Sequence, residues 1–225
     1  MQDEVPRMAQ ITPMFALPFG FAQLGGCEDL NARLHRLFLA REREGPRWAN
    51  PNPYTIRNGA LFESHFDLFD WPEAEVQQLA AFCQGELLQL VAQLSGHDIA
   101  TMRRIEMQTD AWFHITRRGG HFGVHNHPMA SWSGVYCVSP GNHDTGATDS
   151  GRLSFINPNS LAGMYLDPAN AYLRQPYAFA NHGFDLVPGQ LVLFPSWVQH
   201  YVLPFQGEGE RITVAFNCMF RMREG

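Results

Sequence analysis

The feature that most constrains the fold is a change of texture at Gly96. Before it, two segments carry apolar residues at helical spacing: Leu30, Leu34, Leu37 and Phe38 between Glu28 and Arg43, then Leu79, Phe82, Leu87, Leu88 and Val91. Recurrence every three to four residues puts such side chains on one face of a helix. Gly45-Pro46 stops the first run, and Trp71-Pro72 with Glu73 and Glu75 marks the start of the second, where acids suit the positive end of the helix dipole. After Gly96 the chain turns to short β-branched and aromatic runs separated by Gly, Pro, Asn and Asp. The candidate strands are residues 104–115, 131–138, 152–156, 190–194, 200–203 and 211–220. Several short strands with turn signals between them specify a mainly β sandwich, jelly roll or barrel, with the N-terminal helices packed on one outer face.

The length of 225 residues suits one domain, 1–225, with a helical N-terminal part over 1–96 and a β core over 97–225. Residues 11–24 read as a short strand interrupted by Pro13 and Pro18, residues 47–58 as a loop and residues 61–69 as extended. Residues 157–185 are too long for an ordinary connection and read as a lid or binding loop. Hydrophobic residues at 45% and charged residues at 17% exclude disorder, and no apolar run approaches the roughly 18 residues of a membrane span. Met1 to Pro6 carry two acids and no following secretory core, so a cytoplasmic protein is expected. The net charge of −6 disfavours a sequence-independent nucleic-acid binder. Arg103-Arg104 and Arg117-Arg118 read as solvated strand ends or turns. Cys27, Cys83, Cys137 and Cys218 lack any C-x-x-C spacing and read as small buried apolar residues.

The chemistry concentrates at His125, His127 and His200. In an extended chain residues two apart share a face, so an H-x-H pair at a strand end can present two imidazoles to one metal ion. His200 follows the apolar run Leu191 to Phe194 and the bend Pro195-Ser196, and supplies a third. Three protein ligands leave open positions on one side of an octahedral iron for a chelating cosubstrate and dioxygen. Arg211 follows eleven residues after His200, with Thr213 two further on the same strand face. A guanidinium and a hydroxyl so placed form a receptor for a carboxylate such as the distal one of 2-oxoglutarate.

The chain resembles the bacterial and phage group of 2-oxoglutarate and iron(II)-dependent oxygenases related to prolyl hydroxylases. The resemblance is carried by Trp112 through Gly119-Gly120 to HNHP, by SGVY from Ser133 to Tyr136, and by SGRLSFINP, PGQLVLFPSWVQH and ERITVAFN. It implies a double-stranded β-helix of cupin-like, jelly-roll type. It also implies Fe(II) on His125, His127 and His200, and 2-oxoglutarate on Arg211, with Thr213. One departure stands out, because the wider superfamily has Asp or Glu where this chain has His127. Either His127 is a third neutral ligand, or it is displaced and water or an anion takes its place. An all-histidine site would also accept nickel, copper or zinc.

Tyr136 is a further candidate for cosubstrate binding, against a packed outer-face tyrosine. Ser133 and Tyr136 lie on opposite strand faces, so only one of them can enter the pocket. His121 is a candidate for supporting the ligands or facing substrate. His114, His143 and His182 lack partner spacing, and Trp112, Trp132 and Trp197 read as core. No catalytic residue beyond the metal centre is indicated. The expected function is hydroxylation of a small molecule or peptide side chain, with no nucleic-acid or membrane partner. The alternatives are a three-histidine metal dioxygenase or cupin-like enzyme without 2-oxoglutarate, and a non-catalytic jelly-roll binding module.

Overall fold

The computed structural model describes residues 9–223, so the reading of Met1 to Pro6 lies outside the described residues. Twelve strands run through the described residues in chain order: β1 (Gly20–Gln23), β2 (Leu61–Glu63), β3 (Ile105–Thr116), β4 (Phe122–His125), β5 (Trp132–Ser139) and β6 (Asn142–His143), followed by β7 (Leu153–Phe155), β8 (His182–Phe184), β9 (Gln190–Pro195), β10 (His200–Val202), β11 (Gly207–Glu208) and β12 (Arg211–Met222). Three helices, α1 (Glu28–Arg43), α2 (Ala74–Ser95) and α3 (Ile99–Met102), precede β3. The strands build a six-stranded sheet in the order β1-β9-β5-β12-β3-β2, a four-stranded sheet β4-β10-β7-β8 and a small ribbon β11-β6. All the ladders are antiparallel. The architecture is the expected double-stranded β-helix.

Strand alternation divides the large sheet into two faces. Phe113 and Ile115 of β3, Tyr136 and Val138 of β5, Leu191 and Leu193 of β9, and Ile212, Val214 and Phe216 of β12 form the outer face. They pack against Leu30, Leu34 and Phe38 of α1 and Val76, Leu79, Cys83 and Leu87 of α2. Each such side chain contributes about 1.5–3 kcal/mol when fully buried, which anchors both helices where the apolar stripes predict. The helices press close: a Cβ at Gly20 would come within 2.7 Å of Leu90 Cδ2. Between the two sheets, Val192, Phe194, Leu153, Phe155 and Val198 make a second apolar cluster.

The first helix spans the residues its periodicity predicts. The second starts at Ala74, because Pro72 holds Trp71 extended at ψ 140° and Glu73 becomes the N-cap. Gly96 ends it in the left-handed region at φ 66°. The extended reading of 61–69 shortens to β2 followed by a 3-10 turn at Leu68–Asp70. Ser64 is the reason: its Oγ accepts the Phe113 N–H at 3.0 Å, so a side chain takes over the pairing and the ladder stops. Residues 11–24 yield only β1. The N-terminal part is thus more than helical, since β1 and β2 are the two edges of the large sheet.

The four cysteines are free and buried. Arg117 pairs with Glu42 and Glu210, and Arg118 with Asp144 and Glu208, as solvated turn residues do. No helix among the described residues is long and apolar enough to cross a membrane.

Tyr136 belongs to this outer core and not to the pocket, which corrects the reading of it as a cosubstrate ligand. It is fully buried, and its hydroxyl donates to Asn31 Oδ1 of α1 at 2.8 Å. Parity leaves no choice, because Val135 and Cys137 on either side take the inner face. Tyr136→Phe strands the Asn31 oxygen and should lower unfolding free energy by about 1–3 kcal/mol in denaturant titrations, with metal binding unchanged.

Candidate metal centre

The inner face of the large sheet and the small sheet enclose a cavity of about 310 Å³. His125, His127 and His200 meet there, each offering a ring nitrogen, with these atoms all within 4.8 Å of one another. Two of the three are placed by the ladder, since His125 of β4 and His200 of β10 are Cα partners. His127 lies beyond the end of β4 and is fixed instead by its backbone N–H, which donates to Ser196 O at 2.9 Å.

Backbone carbonyls set the ring orientations. His125 Nδ1 lies 2.8 Å from Gly123 O and His200 Nδ1 2.9 Å from Val198 O, so each donates its Nδ1 proton and turns Nε2 inward. His127 Nε2 lies 3.2 Å from His200 Nε2. Metal–nitrogen bonds of about 2.1 Å at right angles would place two ligand atoms about 3 Å apart, so the spacing suits chelation. Burial lowers the pKa of all three imidazoles; His127 falls to about 3 through burial and the neighbouring His125 and His114, and His200 lies well below its ordinary value. Neutral imidazole is the ligating form.

Arg211 and Thr213 line the same cavity. Arg211 is buried, and its guanidinium makes no salt bridge or hydrogen bond among the described residues; burial alone lowers its pKa. Directly across the ladder from Arg211 is Thr116, whose buried Oγ1 has no hydrogen-bond partner among the described residues. A buried cation without a counter-ion costs several kcal/mol, so this end of the cavity suits a carboxylate. The donor set therefore fits Fe(II) on the three histidines and 2-oxoglutarate with its distal carboxylate on Arg211 and Thr213.

A family model described as "Putative 2OG-Fe(II) oxygenase" matches residues 110–217, the stretch that holds all of these side chains. Residues 110–217 are thus similar to the 2OG-Fe(II) oxygenase family. No curated protein sequence matches the chain. Among solved structures, a prolyl-4-hydroxylase from Pseudomonas putida is similar at 20% identity and TM-score 0.59, covering 92% of this chain and 94% of that one. A prolyl hydroxylase from Trichoplax adhaerens, in complex with a hypoxia inducible factor peptide fragment, is similar at 13% identity and TM-score 0.57, covering 89% and 83%. HygX from Streptomyces hygroscopicus, with nickel and 2-oxoglutarate bound, is similar at 11% identity and TM-score 0.55, covering 90% and 83%. At these identities the likenesses speak for the double-stranded β-helix alone.

Other expectations resolve differently. His121 does not reach the cavity; its Nδ1 lies 3.3 Å from Gly119 O in the turn before β4. Residues of the 157–185 segment line a second, aromatic-walled cavity of about 360 Å³, and none of its described side chains lines the cavity of the histidines. The wall beside the histidines comes instead from the loop after α1, with Asn50, Tyr54 and Thr55. Trp197 is half exposed, and Trp112 faces the cavity with its ring 5.6 Å from that of His127.

His114, set aside for want of partner spacing, is a cavity residue. Its Nε2 lies 3.1 Å from Glu63 Oε2 and 2.9 Å from Trp112 Nε1, and can serve one of them at a time. Glu63 is buried between His114, Asn50 and Arg57; burial raises its pKa, but these partners outweigh it and hold the carboxyl below its usual range. Strand parity, which puts Trp112, His114 and Thr116 on one face, was the available signal. Glu63 had none, because its pairing with His114 spans 51 residues.

The depressed imidazole pKa values couple stability to pH. The unfolded chain takes up protons below 6.5 while the folded one resists, so stability is complete above that value and is lost as pH falls toward about 3 for His127. Metal-free protein should show a thermal midpoint that drops between about pH 7 and pH 5, and His127→Gln should flatten the drop. An identical pH slope in the variant would contradict the buried neutral assignment.

Proposed function

We propose that this protein is a non-haem Fe(II)- and 2-oxoglutarate-dependent oxygenase that hydroxylates a C–H bond of a small molecule or a peptide side chain. The observation that carries the reading is Arg211, a buried cation with no anionic partner among the described residues, in the same cavity as three convergent neutral imidazoles. His125, His127 and His200 would hold the metal, and Arg211 with Thr213 would hold the far carboxylate of the cosubstrate. When bound, iron and 2-oxoglutarate supply the oxidising chemistry, with succinate and carbon dioxide as co-products. The protein's own contribution is orientation and dryness. Gly123 and Val198 carbonyls aim two rings, and Phe122, Phe194, Trp112 and Phe66 wall the cavity. The four free buried cysteines suit a reducing compartment, which supports a cytoplasmic location.

Iron-loaded protein without oxygen should develop a visible metal-to-ligand absorbance on adding 2-oxoglutarate. Arg211→Ala should weaken that binding by about tenfold to a hundredfold, the worth of a lost charge-assisted pair, and His200→Ala should lose the iron itself. Absence of the absorbance in the parent protein would sink the proposal.

His127, in the place of a carboxylate, favours one other reading: a three-histidine dioxygenase that uses no 2-oxoglutarate, with Arg211 holding the acid group of its substrate. Succinate release that depends on substrate would remove it.

A further inference from the structure

The charges around the cavity do not balance. Glu63 is neutralised by Arg57 at 3.3 Å, and His114 adds no negative charge in any protonation state. Arg211 has no anionic partner among the described residues. A divalent metal and doubly anionic 2-oxoglutarate cancel each other. One positive charge is therefore left over, which a carboxylate at position 127 would have removed. In a desolvated cavity such an excess attracts a further anion.

The cavity wall also offers an unused donor at Asn217. Ser196 Oγ and Ser133 Oγ are 2.8 Å apart, and Ser133 Oγ donates to Asn217 Oδ1 at 2.7 Å. With Oδ1 taken by Ser133 Oγ, Asn217 Nδ2 has no hydrogen-bond partner among the described residues. Asn217 lines the cavity, and the Ser196 carbonyl at the other end of the relay holds the His127 N–H. The relay thus links the donor residue to the backbone of the ligand that lacks a charge.

We propose that the molecule oxidised here carries a carboxylate, which the Asn217 amide receives against the excess positive charge of a centre built from three neutral imidazoles. The proposal rests on the reading of the cavity as an Fe(II) and 2-oxoglutarate site, and it narrows the substrate to an acid.

Cobalt(II)-loaded full-length protein, saturated with 2-oxoglutarate, tests it without the substrate or turnover, because the visible cobalt spectrum reports on ligands near the metal. Titration with acetate should change the spectrum saturably, while the uncharged isostere acetamide should not. Asn217→Asp and His127→Asp should each weaken acetate binding about tenfold or more, since each places a negative charge beside the anion. Asn217→Leu provides a second variant, which removes the donor without adding charge and should also weaken acetate. Equal responses to acetate and acetamide, or no response to acetate, would overturn the proposal while the 2-oxoglutarate site stands. Acetate that merely displaces 2-oxoglutarate would locate the anion at Arg211 and overturn it too. Failure of 2-oxoglutarate to bind at all would remove the underlying reading, and this inference with it.

Discussion

Everything in this molecule depends on the ladder between β3 and β12. Its twelve residue pairs, from Arg211 opposite Thr116 to Met222 opposite Ile105, make it the longest pairing in the structure. A ladder of that length holds register firmly, because a slip of one residue would turn Val214 and Phe216 into the cavity and Thr213 and Asn217 into the helices. One face is therefore a dry platform for α1 and α2, and the other carries Trp112, His114, Thr116, Arg211 and Thr213. The hydrophobic effect on one side thus fixes where the polar groups stand on the other. A separate and weaker ladder, β4 with β10, brings the histidines to that face.

Burial then sets the chemistry. The imidazoles are desolvated and neutral, ready to donate lone pairs, while the Arg211 guanidinium is too basic to lose its charge and demands an anion. Glu63 shows the opposite outcome. Its carboxylate is equally enclosed but satisfied by His114, Asn50 and Arg57, so it holds the loop after α1 against the sheet beside the proposed metal site. The difference between a satisfied and an unsatisfied buried charge separates scaffold from candidate binding group.

The helices, most long strands and the three histidines were legible because each rests on local periodicity or spacing. Where local reading failed, a tertiary contact was responsible. Ser64 cut an extended segment short by bonding across to Phe113. Tyr136 was drawn to Asn31, and residues 157–185 settled over the second cavity while the loop at Asn50 to Thr55 took the place beside the histidines. Strands of two to four residues such as β4, β6, β8 and β11 are too short to show a period of their own.

By itself the sequence determined the face on which each residue of a strand or helix stands, since side-chain direction follows from backbone period. It thereby put Arg211 and Thr213 on one face of a strand. Only the tertiary structure decided which faces meet. That choice placed Glu63 beside His114, set Thr116 opposite Arg211, and joined Asn217 to the backbone of His127 through two serines. The physical reason is that proximity across a sheet or between sheets depends on the packing of distant segments, and local periodicity carries no record of it.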